Sequence, residues 1–415
     1  MALGKLPTTR CSAAEARSRI GWKKGALLIA VTIGIAACGS SSTAATNGGA
    51  GSLACQNGHL LIGLDKGVTG ASAFFDTAGL QGTQIAIDEQ NAAGGIHGCQ
   101  IATVSGDAQS NPAVGGQVAQ SLIKSGVQIL VVPDDFDLGI AAAQAGEKAG
   151  LLTLSAAASS TQFGKAVGPH FFNGGIPTAV LGADAAQFAL EHSWKKAYFV
   201  ENQSLAYFTE QDAAYKAVSG TSVVGTDINN SFTASDFNST VTKIAAAKPD
   251  VIYNLLTFPP AGTFVKQLRA AGINTPVVGD VTLDTNDLLP LVPASGLQNV
   301  YFVTIAYWVG AAADSSTDPA MVKFTQEFQA KFGKFPEQTN APTAYLFFKA
   351  IFSALNQSGV TDASSAASAI NAEKDLQLPG AVLHSWRDGY ALWNGVVVGF
   401  TPSGAFTKVK EYQSQ

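Results

Sequence analysis

Residues 60–107 decide the fold. They begin with LLIGLD (60–65), continue with LQGTQIAIDEQN (80–91) and the pair Gly94-Gly95, and end with QIATVSGD (100–107). The first and last segments are short apolar runs, which predict strands, and the middle segment repeats apolar residues at helical spacing. Paired glycines directly after such a pattern favour the end of a helix. The stretch therefore predicts strand, helix and parallel strand, the unit from which α/β sheets are built.

The same alternation continues along the chain and predicts two α/β series, one before residue 177 and one from 177 to 279. The segments after residue 279 are too few for a third sheet, so we expect the two series to share them. The sequence predicts an α/β fold of two doubly wound parallel-sheet lobes joined by a multi-crossover hinge. The predicted boundaries are 59–176 plus 308–392 for lobe 1 and 177–307 plus 393–415 for lobe 2.

The N-terminal segment predicts export. Five basic residues between Arg10 and Lys24 precede an apolar run at 25–37, which is too short to span a bilayer but suits a signal peptide. The run ends in Ile35-Ala36-Ala37-Cys38, which resembles the bacterial lipobox. This resemblance implies a lipoprotein signal peptide at 1–37, lipidation of Cys38, a flexible tether at 38–58 and anchoring to the outer face of the cell membrane. The alternative is an ordinary secretory signal in which the cysteine occurs by chance.

Composition narrows the class of protein. Hydrophobic residues make up 47% of the 415 residues and charged residues only 13%, which excludes a disordered chain and a coiled coil. Residues 1–37 hold six basic residues and one acidic residue, so their removal changes the formal net charge from −5 to −10. An acidic protein repels nucleic acid, and we expect no nucleic-acid partner.

Two cysteines remain once Cys38 is lipidated and Cys11 is removed with the signal peptide: Cys55 and Cys99. In an oxidising compartment such a pair predicts a disulfide. Each cysteine lies just before a predicted strand of the first unit, so the two strand beginnings can be neighbours. The alternative is two buried, unpaired thiols.

Motifs that suggest an enzyme are incomplete. Val68-Thr69-Gly70 follows a strand as a dinucleotide loop does, but Phe74 and Phe75 stand where such a loop needs further glycines. No Gly-x-Ser-x-Gly motif is present, and the five histidines have no metal-ligand spacing. We expect no enzymatic activity, no cofactor and no metal site.

Three segments resemble the type I periplasmic binding proteins of the leucine/isoleucine/valine-binding kind, the receptors of ABC importers. They are QGTQIAIDEQNAAGGIHG (81–98), AGLLTLSAAAS (149–159) and KPDVIY (248–253) followed by QLRAAG (267–272). The resemblance extends from about residue 60 to the C-terminus. It implies a binding protein that captures a small solute by hinge closure and delivers it to permease and ATPase subunits, and we expect a monomer. A ligand-sensing receptor of the same fold, coupled to signalling, is the alternative.

The resemblance also implies which residues contact the ligand. It places Phe75 on a tight loop at 68–76, Asp135 and Phe136 after the third strand, and Ala157 and Ser159 after the fourth. The implied contacts from lobe 2 and from the closing helix are Tyr207, Thr257, Phe258, Asp280 and Tyr345.

The sequence departs from this family after the third strand, where Asp134, Asp135 and Asp137 replace the small hydroxyl residues that hold a ligand carboxylate. Desolvated acids in that position would repel a carboxylate, so a small polar molecule of another kind (amino-acid-like, amide, amine or hydroxylated) is expected. The alternative is that the three acids only cap the helix that follows.

Overall fold

The computed structural model describes residues 51–413, except 219, 285–287 and 306–317. The strands are β1 (His59–Lys66), β2 (Gln100–Asp107), β3 (Ile129–Val132), β4 (Leu152–Ser155), β5 (Phe171–Asn173), β6 (Lys196–Glu201), β7 (Ser222–Ile228), β8 (Val251–Leu255), β9 (Val277–Gly279), β10 (Val300–Thr304), β11 (Leu376–Leu378), β12 (Ala381–Arg387), β13 (Tyr390–Trp393), β14 (Gly395–Phe400) and β15 (Phe406–Tyr412). The helices are α1 (Ala73–Ala92), α2 (Pro112–Lys124), α3 (Phe136–Lys148), α4 (Phe163–Val167), α5 (Thr178–Glu191), α6 (Ala206–Ala217), α7 (Asn238–Ala247), α8 (Pro260–Ala270), α9 (Leu288–Leu291), α10 (Pro319–Phe332), α11 (Asn340–Leu355) and α12 (Ala363–Ala372).

The strands form two sheets. The sheet of lobe 1 has the order β11-β12-β13-β5-β4-β3-β1-β2, and that of lobe 2 has the order β15-β14-β10-β9-β8-β6-β7. Both are parallel through their central strands and end on one side in antiparallel strands. Helices flank both sheets, as in other doubly wound folds. The predicted α/β fold of two lobes is confirmed.

The chain passes between the sheets at three places. It leaves lobe 1 between β5 and α5, returns between β10 and α10, and leaves again between β13 and β14. Part of the second passage, together with the sequence Tyr307-Trp308, lies outside the described residues. A hinge made of several connecting segments lets the two lobes close on a ligand while each lobe keeps its own core.

Helix α11 forms the centre of lobe 1, because nearly every one of its side chains is buried. It packs against α1, and Gly82 of α1 permits the close approach: a Cβ there would lie 1.9 Å from the carbonyl oxygen of Ala341. Gly82 belongs to the segment that suggested the family resemblance. Its role is therefore to set the distance between two helices, and the spacing of this pair positions the start of α11 at the cleft.

The predicted disulfide is present between Cys55 and Cys99, whose Cα atoms are 5.6 Å apart. Strands β1 and β2 pair in parallel with His59 opposite Gln100, so the segments before the two strands are adjacent. The bond lies at the amino ends of these strands, on the opposite edge of the sheet from the cleft.

Two local predictions differ from the structure. Helix α1 begins at Ala73, whereas its pattern predicts a start at residue 80, so Phe75 lies in the first helical turn and not on a loop. The hairpin of β12 and β13 was not predicted, because its short strands mix polar and apolar residues without regular alternation. The predicted signal peptide, Cys38 and most of the tether lie outside the described residues, within which no helix is long and apolar enough to cross a bilayer.

Candidate functional site

A cavity lies between the two lobes, at the carboxyl ends of their parallel strands. It encloses about 550 Å³, part of it open to solvent. Open α/β folds bind ligands at the carboxyl ends of their strands, at the point where neighbouring connections run to opposite faces of the sheet. The lining residues are Phe75, Asp134, Asp135, Ala157, Ser159, Gly175, Ile176, Leu205, Tyr207, Phe208, Val281, Thr304, Ile305, Thr339, Asn340 and Thr343.

The wall of the cavity in lobe 1 contains a buried group of charges that we call the Lys66 cluster: Lys66, Asp76 and Asp134. The Lys66 Nζ lies 2.6 Å from Oδ1 of Asp134 and 3.7 Å from Oδ1 of Asp76, and it donates to the carbonyl of Val132 at 2.9 Å. The three side chains are 0–4% exposed. Buried charges of this kind persist only when they are paired and hydrogen-bonded.

Backbone groups hold Asp76 in place. Its two oxygens accept from the N–H groups of Asp134 at 2.7 Å and Gly67 at 2.6 Å. Burial raises the pKa of Asp76 to about 6, and the charge of Lys66 opposes this rise. Asp76 thereby ties the loop after β3 to the start of α1, which fixes the position of Asp134.

Asp134 uses several donors at the end of β4. Its Oδ1 accepts from the backbone N–H of Ala157 at 3.0 Å and from the hydroxyl of Ser155 at 3.3 Å, in addition to Lys66. Its Oδ2 is buried and has no hydrogen-bond partner among the described residues. Gly79 of α1 makes room for this oxygen, since a Cβ there would lie 2.1 Å from it.

Two further acids stand beside the cluster. Asp65 is fully buried, neither of its oxygens has a partner among the described residues, and burial raises its pKa to about 8. Burial likewise raises the pKa of Asp135 to about 7, although its Oδ1 accepts from the N–H of Leu138 at 3.0 Å. Both acids therefore carry less negative charge at neutral pH than ordinary surface aspartates.

The wall in lobe 2 is built differently. Its buried acid, Asp280, accepts from the backbone N–H of Thr282 at 2.9 Å and from the side-chain amide of Gln211 at 3.0 Å. Burial raises the pKa of Asp280, and burial beside Asp280 also raises the pKa of Tyr207 well above its usual value. This wall presents the ring of Tyr207 to the cavity and keeps its acid behind that ring, held by neutral donors.

Three carboxylates bridge the lobes around the cavity. Glu210 of α6 accepts from Ser160 Oγ at 2.6 Å and from the N–H of Thr161 at 3.1 Å, and also from Gln162 and Thr178. Asp137 of lobe 1 accepts from the N–H of Ala206, the first residue of α6, at 2.8 Å.

The third bridge joins lobe 2 to the segment just before α11. Asp284 of lobe 2 accepts from the N–H of Thr339 at 2.9 Å and from its hydroxyl, just before α11. Burial raises the pKa of Asp284 to about 7. A ring contact adds to these bridges, because Phe74 meets Phe258 with centroids 5.9 Å apart. The described lobes are therefore joined by several separate contacts near the cavity.

Five of the ten sequence-predicted ligand residues line the cavity: Phe75, Asp135, Ala157, Ser159 and Tyr207. They come from the ends of three different strands of lobe 1 and one of lobe 2. The structure thus brings together residues that are up to 132 positions apart in the sequence.

The other five do not line it. Asp280 lies behind Tyr207, Thr257 is buried without a hydroxyl partner among the described residues, and Phe258 contacts Phe74. Phe136 packs edge-on against Phe163 within lobe 1, with centroids 5.4 Å apart. Tyr345 points its hydroxyl at Glu89, 2.9 Å away, because it lies more than a turn beyond the end of α11 that reaches the cavity.

The residues that sequence reasoning missed are mostly partners of the predicted ones. Lys66 and Asp76 are absent from the prediction, although a lysine directly after a buried strand is an unusual feature of the sequence. Asn340 and Thr343, one helical turn apart at the start of α11, also line the cavity. Their spacing is ordinary for a helix start, so it gave no signal.

The capping alternative for the three acids holds for one of them. Asp135 caps its own helix, α3. Asp134 belongs to the Lys66 cluster, and Asp137 accepts from the first residue of a helix in the other lobe. Among the described residues no group of three His, Cys, Asp or Glu side chains is placed to hold a metal ion.

Comparison with known proteins identifies the family. A family model described as periplasmic binding protein matches residues 60–390. A curated relative, Leu/Ile/Val-binding protein homolog 1 of Brucella abortus, is 23% identical over 354 residues, which cover 80% of this chain and 91% of the relative.

Solved structures agree in fold. The LivJ substrate-binding protein from Streptococcus pneumoniae in complex with isoleucine has a TM-score of 0.74 at 23% identity, covering 85% of this chain and 99% of its own. An ABC-transporter solute-binding protein from R. palustris in complex with benzoate has a TM-score of 0.73 at 18% identity, covering 86% and 97%. This chain belongs to the periplasmic binding protein family, the extracytoplasmic solute-binding proteins of ABC transporters.

Proposed function

We propose that this chain captures a small polar solute between its two lobes by hinge closure and delivers it to the permease and ATPase subunits of an ABC importer. The observation that carries the proposal is the cavity itself, which both lobes line and three carboxylates bridge. Aromatic and polar side chains from both lobes converge on it, as they do in sites that hold a small molecule. Binding and release then need only a rotation of one lobe against the other.

Residues that line the cavity are the proposed ligand contacts. Phe75 and Tyr207 supply aromatic faces, Ser159 and Thr343 supply hydroxyls, and Asn340 supplies an amide. The mixture suits a small polar molecule, whether amino-acid-like, amide, amine or hydroxylated. We assign 59–176 plus 308–392 to lobe 1 and 177–307 plus 393–415 to lobe 2. Membership of the two sheets supports this division except at Trp393, the last residue of β13 in the lobe 1 sheet.

We further propose that a lipid on Cys38 anchors a monomeric receptor to the outer face of the membrane, through a tether that ends before β1. The supporting feature is the sequence Ile35-Ala36-Ala37-Cys38 after an apolar run. Cys38→Ala should release the protein from the membrane fraction, whereas Cys11→Ala, a cysteine before that run, should leave it bound. Retention of the Cys38→Ala protein after carbonate washing would contradict the anchor.

The receptor function is tested by screening small solutes for an increase in the unfolding temperature of the exported protein and titrating each hit calorimetrically. We expect saturable binding of one solute per chain without conversion to a product. Tyr207→Leu should weaken binding, because it removes an aromatic face from the cavity. Tyr198→Leu, which changes a tyrosine that pairs with Asp227 elsewhere in lobe 2, should leave the affinity of the folded protein as it is. Turnover of the solute, or no saturable binding in the whole screen, would contradict the proposal. Neighbouring permease and ATPase genes support import, and a sensor gene in their place would favour signalling.

A further inference from the structure

The described charged residues that line the cavity are all acidic. Asp134 and Asp135 line the cavity, and among the described residues no Lys, Arg or His does. The undescribed internal segments cannot add a cation, because Ser219, TND (285–287) and AYWVGAAADSST (306–317) contain no basic residue. A negatively charged ligand group would therefore find no free cationic partner in this lining.

The donors on the lobe 1 wall are already in use. The N–H of Ala157 and the ammonium of Lys66 donate to Oδ1 of Asp134. The hydroxyl of Ser155 lies 3.0 Å from the carbonyl oxygen of Pro133 and 3.3 Å from Oδ1 of Asp134. These are the kinds of donor that bind a carboxylate, and here a side chain of the protein supplies that carboxylate. A carboxylate of the protein itself thus occupies this subsite.

The second carboxylate oxygen of Asp134 has no hydrogen-bond donor of its own in the described part of the chain. Asp134 Oδ2 is buried and accepts no hydrogen bond among the described residues, although Asp134 lines the cavity. An unpaired buried carboxylate oxygen is costly, and a hydrogen-bond donor brought by a ligand would remove that cost. Lys66 does not satisfy Oδ2, because its ammonium contacts Oδ1 and the carbonyl of Val132.

We propose that Asp134 determines ligand charge: the receptor takes an uncharged or cationic solute that presents an N–H donor, an amide or an amine, and rejects solutes with a free carboxylate. This inference rests on the receptor function proposed above. It narrows that function, because amino acids and aromatic acids fall outside the accepted class while their amides and amines fall within it.

The test is a thermal-shift measurement on the exported protein with matched sets of probes. The sets are leucine with leucinamide, benzoate with benzamide and benzylamine, and propionate with propionamide. We expect a shift of about 3 °C or more from amides or amines at a hundredfold excess over the dissociation constant. Each matching carboxylate should bind at least 30-fold more weakly. A carboxylate that shifts the midpoint as much as its amide would overturn the inference.

Variants separate the role of Asp134 from a general effect of charge. Asp134→Asn should bring the affinities of a carboxylate and its amide within about threefold of each other. Asp227→Asn, which removes an acid of lobe 2 that does not line the cavity, should leave the discrimination as it is. If Asp134→Asn does not fold, the matched probes on the unaltered protein still decide. If no probe in any set shifts the midpoint while other solutes bind, the amide and amine class is wrong; if nothing binds, the receptor function fails first.

Discussion

The two walls of the cavity each contain a buried acid, but they stabilise it in different ways. Asp134 of lobe 1 is paired with the ammonium of Lys66 at 2.6 Å, whereas Asp280 of lobe 2 is held by the neutral amide of Gln211 and a backbone N–H. Asp134 lines the cavity, and Asp280 lies behind Tyr207. One wall is therefore an ionic structure that faces the ligand, and the other is an aromatic surface with its acid shielded.

A buried charge can thus serve two purposes, one in the fold and one at the ligand. An ion pair away from water contributes little net stability, because desolvation offsets the attraction, but breaking it is costly. The Lys66 cluster fixes the loop after β3 and also sets the charge that a ligand meets. In lobe 2 the neutral hydrogen bonds of Asp280 fix the end of β9 without adding a charge to the cavity. Selection by charge should consequently reside in lobe 1.

The largest expected effect comes from removing the cation of lobe 1. Lys66→Met leaves Asp76 and Asp134 buried without their partner, and we expect a loss of about 3–5 kcal/mol in unfolding free energy. Chemical denaturation measures it. The matched control is Lys165→Met, because Lys165 pairs with Asp388 on the surface and such pairs contribute about 0–1 kcal/mol. Equal losses in the two variants would show that the Lys66 cluster is not what holds this wall.

The second expected effect comes from removing the disulfide at the amino ends of β1 and β2, which should lower stability without changing ligand binding. The Cys55–Cys99 bond closes a loop of 44 residues in lobe 1, which the chain-entropy model values at about 3–4 kcal/mol. A Cys55→Ala/Cys99→Ala double variant should lose that much in denaturant unfolding but keep ligand affinity, since the bond lies away from the cavity. Recovery of both thiols free from exported protein would contradict the disulfide itself.

The dependence of stability on pH gives a third test. The pKa of Asp65 rises from 3.8 to about 8 on folding, so the folded protein holds this proton over a range where the unfolded chain has lost it. Stability therefore falls as pH rises between these values, by up to about 1.4 kcal/mol per pH unit for this group. Unfolding free energies at pH 6 and pH 7 should show a decrease that becomes smaller in Asp65→Asn. The exposed acid Asp88, changed to Asn, should leave the decrease unaltered; an unchanged slope in Asp65→Asn would refute the assignment.

The smallest expected effect concerns the bridges between the lobes. Glu210→Gln replaces a charged acceptor of several lobe 1 donors by a neutral one, which weakens those bonds and favours the open form. We expect about 3–10-fold weaker binding of whichever solute the screen identifies, and a larger radius of gyration in small-angle scattering. Glu337→Gln, which changes an exposed pair with Lys334, is the control. Identical affinities in the two variants would show that Glu210 does not hold the lobes together.

Local patterns made much of the fold predictable. The segments that became β1 and β2 and the glycine pair after α1 follow rules that act over a few residues, and the two-lobe prediction extends these rules along the chain. The apolar repeat predicts a start of α1 seven residues too late, because Ala73 to Asp76 do not continue it. Asp76 is in fact buried there by its bonds to Gly67 and Asp134.

The candidate site was less predictable, because its contacts join distant segments. Nothing local to Lys66 indicates that Asp134, 68 positions later, receives its ammonium, and nothing local to Asp137 indicates that it accepts from Ala206 of the other lobe. The acids after β3 were recognised as a departure from the family, but their separate roles depend on what each one faces. Tyr345 was assigned by resemblance alone, and its distance from the cavity follows from the position of its turn along α11.

The central claim is that the lobe 1 wall presents a carboxylate, and so selects the charge of the solute. The most direct measurement is native mass spectrometry of the exported protein, followed by denaturation and identification of the released molecule. We expect one bound molecule per chain, neutral or cationic at pH 7, with an amide or amine group. Release of a molecule with a free carboxylate or phosphate would contradict it.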